Sequence, residues 1–225
     1  MSSEVASHGA KSLMRARLAQ RAGRTLLSIG ADFRVLGIER VPKSGPLIVA
    51  GNHLSYVDGL LAPSLLPRVD TYLLVAYEFE HRPFYHFFAN FIGRAIYLPP
   101  DSKSMFALRQ AVAVLRAGHV VLIAPEGRVS LTGALEPGAS GIGYLAVASG
   151  APVLPIATTG QEKLFSNLRR LRRTTVTAEF GELYLPPRTA LSAEGMAATT
   201  DVIMRRIAAM LPPAYRGVYS DCPTT

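Results

Sequence analysis

From residue 46 onward, short apolar runs alternate with helical patterns. Runs at Pro46–Ala50, Tyr72–Ala76, Ala95–Leu98, Val120–Ala124 and Val153–Ala157 are each four or five residues long. Uninterrupted apolar runs of this length suit strands buried on both faces. Between them lie segments of helical periodicity at about 56–66, 82–92, 102–117 and 139–149, the third closed by Gly118. Strand and helix in regular alternation imply a largely parallel sheet flanked by helices. At 225 residues, one α/β domain is expected, with a substantial core.

The pattern changes after residue 160. An Arg-rich turn precedes Thr174–Phe180 and Glu182–Leu185, which read as a strand pair around Gly181, and a helix near 192–210 is ended by Pro212 and Pro213. The uncharged stretch Pro137–Gln161 is long enough to span a bilayer, but Gly150, Pro152 and Pro155 divide it. It reads as a buried helix, a stop and a buried strand, and the chain is expected not to be an integral membrane protein. Lys11, Arg15, Arg17, Arg21 and Arg24 interrupt any apolar core of a signal peptide. Leu18, Ala22, Leu26, Ile29 and Phe33 recur at helical spacing beside Arg17, Arg21 and Arg24. Such a helix can lie on anionic lipid or can cover the sheet. The expected organisation is an N-terminal tail and amphipathic helix over 1–33, an α/β domain over 34–215, and a tail over 216–225.

Net charge narrows the partners. Twenty-four Lys and Arg against sixteen Asp and Glu give +8, so an anionic partner is expected: nucleic acid, a lipid surface or a phosphorylated substrate. The basic run Leu168–Arg173 lacks the aromatic residues that stack on bases, which disfavours nucleic acid. Cys222 is the single cysteine. It excludes an internal disulfide and fits a reducing, cytoplasmic setting.

Two polar clusters follow apolar runs. Gly51-Asn52-His53-Leu54-Ser55-Tyr56-Val57-Asp58 follows the first, and Pro125-Glu126-Gly127-Arg128-Val129-Ser130 follows the fourth. Ligands in open α/β sheets gather beyond the carboxyl ends of the strands, so the two clusters should meet at one edge. With His53 on the loop and Asp58 in the first helical turn, the carboxylate could hold one imidazole nitrogen protonated and leave the other free to take a hydroxyl proton. Ser55-x-x-Asp58 also reads as a helix-capping pair. Arg128 offers a phosphate-binding fork; its surface alternative is an ion pair with Glu126. Gly141-x-Gly143-x-x-Ala146 matches a dinucleotide fingerprint in composition, but it follows no strand directly and reads as close helix packing. Phe84, Tyr85, Phe87, Phe88 and Phe91 crowd one helix, which could lie in a membrane interface, line an apolar tunnel or sit in the core.

Asn52-His53-x4-Asp58 paired with Pro125-Glu126-Gly127-Arg128-x-Ser130 resembles the glycerolipid acyltransferase family, which includes 1-acylglycerol-3-phosphate acyltransferases. The resemblance spans about residues 34–190 and extends to Gly150-Ala151-Pro152-Val153-Leu154-Pro155. It implies transfer of a fatty acyl group from acyl-CoA or acyl-carrier protein to the hydroxyl of a lysophospholipid such as 1-acylglycerol-3-phosphate. No cofactor, metal or covalent acyl-enzyme is implied. His53 would be the general base and Asp58 its orienting partner. Glu126, Gly127, Arg128 and Ser130 would position the acceptor's glycerol phosphate, and Pro155 would shape the wall beside the reacting carbonyl. The resemblance also implies phospholipid biosynthesis at the cytoplasmic face of a membrane, by a peripherally bound enzyme. The alternatives are a different lyso-lipid acceptor or a non-catalytic lipid-binding module.

The match departs from the family in one consequential place. A family motif that ends in an acceptor-binding Arg after a Gly and a short strand is here Gly93-Arg94-Ala95-Ile96-Tyr97-Leu98-Pro99-Pro100, with proline where that Arg would fall. Arg94 or Lys103 is the expected substitute.

Overall fold

The computed structural model describes residues 2–99, 104–187 and 191–223. Seven strands form one sheet: β1 (Ala31–Leu36), β2 (Leu47–Gly51), β3 (Thr71–Ala76), β4 (Arg94–Leu98), β5 (Val120–Ile123), β6 (Val153–Thr159) and β7 (Thr174–Phe180). Among the described residues, seven α-helices accompany them: α1 (Ser2–Gly30), α2 (Asp58–Leu65), α3 (Pro83–Ile92), α4 (Ser104–Arg116), α5 (Ser140–Ser149), α6 (Leu164–Leu168) and α7 (Ala193–Met210). The strand order is β1-β7-β6-β2-β5-β3-β4. The five strands from β6 to β4 run parallel, and β7 turns antiparallel to β6 with β1 parallel beside it.

Strand β2 lies near the centre of the sheet, and its alternation divides the core. Leu47 and Val49 face a cluster with Leu27, Leu61, Leu65 and Leu154, whereas Ile48 and Ala50 face one with Leu115, Ile142, Leu145 and Ile207. Burial on both faces explains why the run is apolar throughout. The reading of the uncharged stretch Pro137–Gln161 holds: α5 ends at Gly150, which adopts the left-handed conformation, and β6 follows. The dinucleotide-like Gly143 is a contact with α7, since a Cβ there would lie 2.1 Å from the Met196 carbonyl oxygen. Among the described residues, no helix is long and apolar enough to cross a membrane.

Three local readings change. The N-terminal helix stops at Gly30 and Phe33 belongs to β1, so a boundary at residue 34 falls within a strand of the sheet. Arg173 stabilises that junction by binding the Asp32 carboxylate and the carbonyls of Ser28, Ile29 and Ala31. Second, Glu182–Leu185 does not pair with Thr174–Phe180, because β6 and β1 occupy both edges of β7. Instead Tyr184 exchanges two 2.8 Å backbone bonds with Val153. Third, the C-terminal segment is held against the body as far as Pro223: Cys222 is buried and its carbonyl accepts from the Arg216 guanidinium.

The α1 face toward the body is small and partly polar. Ala19, Gln20, Gly23, Leu27 and Gly30 are buried, and Gln20 donates to the carbonyls of Pro63 and Arg68. Met14, Leu18, Leu26 and Ile29 are all more than half exposed. The apolar stripe legible in the sequence therefore faces outward rather than onto the sheet.

Candidate active site

The two polar clusters meet beyond the carboxyl ends of β2 and β5. Asn52 fastens the first in place: its amide donates to the Thr158 carbonyl at 2.9 Å and accepts from the Thr158 backbone N–H at 2.8 Å. This reciprocal bond ties the end of β2 to β6 and fixes where the next residue, His53, leaves the sheet.

His53 Nδ1 lies 3.0 Å from Asp58 Oδ2. The same oxygen accepts from the backbone N–H groups of Leu54 at 2.8 Å and Ser55 at 2.9 Å. One oxygen of Asp58 therefore braces the loop before α2 and holds the His53 ring, while α2 itself starts without a side-chain cap, so the capping reading of Ser55-x-x-Asp58 is met only by the Ser55 N–H bond. A carboxylate is only an acceptor, which places the proton on Nδ1 and leaves Nε2 as the basic nitrogen. The ring remains about one-fifth exposed, and Asp58 only half as much.

Glu126 occupies a place different from the one its motif implies. It is buried, and its two oxygens accept from the backbone N–H groups of His53 at 2.8 Å and Glu136 at 2.9 Å. Burial raises its carboxyl above the ordinary range, opposed by those two N–H groups. Glu126 thus connects the His53 loop to the Arg128 loop. Ser130 closes the same connection through its backbone, donating at 2.7 Å to the His53 carbonyl, while its hydroxyl bonds the Ala134 carbonyl. Gly127 takes the left-handed conformation at φ +73°, where a side chain is strained.

Arg128 is the exposed cation of the site, and its partner is Glu136 rather than Glu126. Its Nε and Nη2 lie 2.8 and 2.6 Å from Glu136 Oε2, while Glu136 Oε1 accepts from Leu131 N–H at 2.8 Å. These bonds hold the Glu136 carboxyl below its ordinary range, the Leu131 N–H foremost. Sequence reasoning missed Glu136. The available signal was its position as the last charged residue before the long uncharged stretch, across the Gly133 turn from Arg128.

Arg94 lies at the wrong end of the sheet to substitute for the absent family Arg. The ladder places it level with Tyr72, Val121 and Ile48. Ile48 is three residues before the end of β2, or about 10 Å along a strand. Its guanidinium bonds the Tyr72 hydroxyl at 2.7 Å instead. Lys103 lies outside the described residues. Pro155 sits within the sheet, level with Ala50 and packed toward Gly181, rather than at the His53 edge. Among the described residues, no three His, Cys, Asp or Glu side chains are grouped to hold a metal ion.

A groove of about 320 Å³ opens beside the ends of β3 and β4, lined by Tyr77, Tyr97, Pro99, Phe106 and Ala107 together with the polar Glu80 and Gln110. Phe87 and Phe91 on the neighbouring α3 stack at 5.3 Å and stay exposed. The basic turn after α6 divides by role. Arg173 is committed to Asp32, whereas Arg169, Arg170 and Arg172 are exposed beside Leu171, itself 95% exposed.

Comparison with known proteins follows the same span. The family model described as Acyltransferase matches residues 32–159, from β1 to the end of β6. Among solved structures, the 1-acyl-sn-glycerophosphate (LPA) acyltransferase of Thermotoga maritima superposes with a TM-score of 0.66 at 22% identity, covering 87% of this chain and 85% of that one. At that identity, the likeness is one of fold.

Proposed function

The chain belongs to the Acyltransferase family, and from that premise we propose that it moves a fatty acyl group from acyl-CoA or acyl-carrier protein to the free hydroxyl of a lysophospholipid. The observation that carries the reading is the His53–Asp58 pair at 3.0 Å, which leaves Nε2 as the basic nitrogen of a partly exposed ring beyond the carboxyl end of β2. Nε2 takes the acceptor's hydroxyl proton as its oxygen attacks the thioester carbonyl. The carbon–sulfur bond then breaks, and the imidazolium returns the proton to the departing thiolate. Asp58 stabilises the imidazolium and fixes its tautomer, and Arg128 faces the acceptor's phosphate. The reaction needs no covalent intermediate on the protein.

The test is direct. Labelled acyl-CoA and acyl-carrier protein, each incubated with the purified protein and a panel of lysophospholipids, should yield labelled diacyl product with at least one pairing. No product with any pairing would overturn the reading.

The enzyme works bound to an anionic membrane surface, on its cytoplasmic face. Support comes from the outward stripe Met14, Leu18, Leu26 and Ile29, with Arg17, Arg21 and Arg24 exposed on the adjoining face and Arg169, Arg170 and Arg172 beyond the helix end. Basic residues near such a surface contribute about 1 kcal/mol each. Reversing Arg169, Arg170 and Arg172 to Glu should weaken sedimentation with phosphatidylglycerol vesicles by more than tenfold, against about 3 kcal/mol of lost attraction. Binding to phosphatidylcholine vesicles should barely change. Equal loss on both vesicle types would argue against the electrostatic contact.

A further inference from the structure

We propose that Glu136 selects the acceptor, and that the preferred acceptor is a lysophospholipid whose phosphate is a diester carrying one negative charge rather than a phosphomonoester. The inference rests on the acyl-transfer reading, with Arg128 as the group facing the acceptor phosphate.

Arg128 presents its positive charge as one half of an ion pair. One side of its guanidinium, Nε and Nη2, is held on Glu136 Oε2 at 2.8 and 2.6 Å. Glu136 is fixed in turn by the Leu131 N–H, with its side chain 10% exposed against 62% for Arg128. The fork therefore meets solvent along one side only, with a carboxylate directly behind it. Recognition of a phosphate dianion calls for several charge-assisted donors, and the paired carboxylate opposes a second negative charge.

Among the other described cations past the strand ends, Arg216 is buried and donates to the carbonyls of Leu211 and Cys222, while Arg82 over the Phe79 ring and Lys163 at 3.8 Å from Glu162 are exposed single cations that offer no built phosphate cradle beside Arg128. Arg94 is at the opposite end of the strands, bonded to Tyr72. A phosphomonoester would have to displace Glu136 from Arg128 and then lie against the displaced carboxylate. A phosphodiester can share the open side of the guanidinium while Glu136 stays in place.

The experiment compares two acceptors with the same acyl chain, lysophosphatidylethanolamine and lysophosphatidic acid, under one acyl-CoA donor. The wild-type kcat/KM should favour the diester by about tenfold or more. Glu136→Gln removes the opposing charge and should move that ratio about tenfold toward the monoester, mainly through a lower KM for it. Wild-type preference for lysophosphatidic acid would overturn the proposal, as would a Glu136→Gln protein that loses both activities in equal proportion. The wild-type ratio decides the matter alone if the variant does not fold. Transfer to neither acceptor, nor to any other lyso-lipid, from acyl-CoA or from acyl-carrier protein would instead overturn the acyl-transfer reading and this inference with it.

Discussion

Replacing His53 with alanine should lower kcat by about 10³-fold, the middle of the range for loss of a positioned general base. The KM for the acceptor should change little, because the ring is placed to act on the hydroxyl proton rather than to hold the phosphate. Stability should fall by about 1.5–3 kcal/mol, the scale of one lost hydrogen bond to a charged group. The backbone contacts of His53 remain: its N–H still reaches Glu126 and its carbonyl still receives the Ser130 N–H. Circular dichroism and vesicle sedimentation should therefore match the wild type, with a lowered but cooperative melt, while product formation is lost. Turnover near wild type would remove His53 from the mechanism. Loss of the melting transition would show that the ring is needed for the fold itself, a role that its partial exposure does not support.

The sequence makes the parallel part of the fold legible because each buried strand is an uninterrupted apolar run closed by Gly or polar residues. Strand β1 breaks that rule. Ala31–Leu36 alternates buried and exposed positions over only six residues, directly after a long helix, so Phe33 could be counted on the helical stripe. The turn of β7 against β6 was equally hard to see, since pairing partners distant in sequence leave no local periodicity.

Within the site, His53 and Asp58 were legible because strand polarity and a short loop bring them to the same place. Arg94 could have been set aside on the same ground: it precedes its apolar run, so a parallel strand carries it to the edge opposite the catalytic one. The role of Glu126 was not legible. A carboxylate in a phosphate-binding motif reads as a substrate contact until the two N–H groups it accepts from are seen. In the sequence the partner of Arg128 reads as Glu126 for a related reason, because Glu136 is eight residues away and reaches it only through the turn at Gly133.

Replacing Glu126 with alanine should disable the enzyme by disconnecting its two loops. Two backbone N–H groups, of His53 and Glu136, would lose their acceptor. At about 1–3 kcal/mol for each unpaired buried donor, the cost is about 2–6 kcal/mol, a large part of an ordinary domain's stability of about 5–15 kcal/mol. Glu126→Gln keeps one accepting oxygen and turns an amide NH2 toward the other donor, so it should fall between the alanine variant and wild type. A residue that only bound substrate would raise KM and leave the melt unchanged. Glu126 should instead lower the denaturation midpoint and kcat together.

The effect of pH has a definite sign. Burial raises the folded-state pKa of Glu126 above its ordinary 4.5. Ionised Glu126 therefore costs the folded state stability above the folded pKa, and the cost is relieved as the pH falls through that value toward 4.5. Glutamine does not titrate, so the stability margin of wild type over Glu126→Gln should widen on acidification across that window. Urea denaturation of both proteins at neutral and mildly acid pH measures the margin. One that stays constant or narrows would mean that the carboxyl is not buried between the two loops as its hydrogen bonds require.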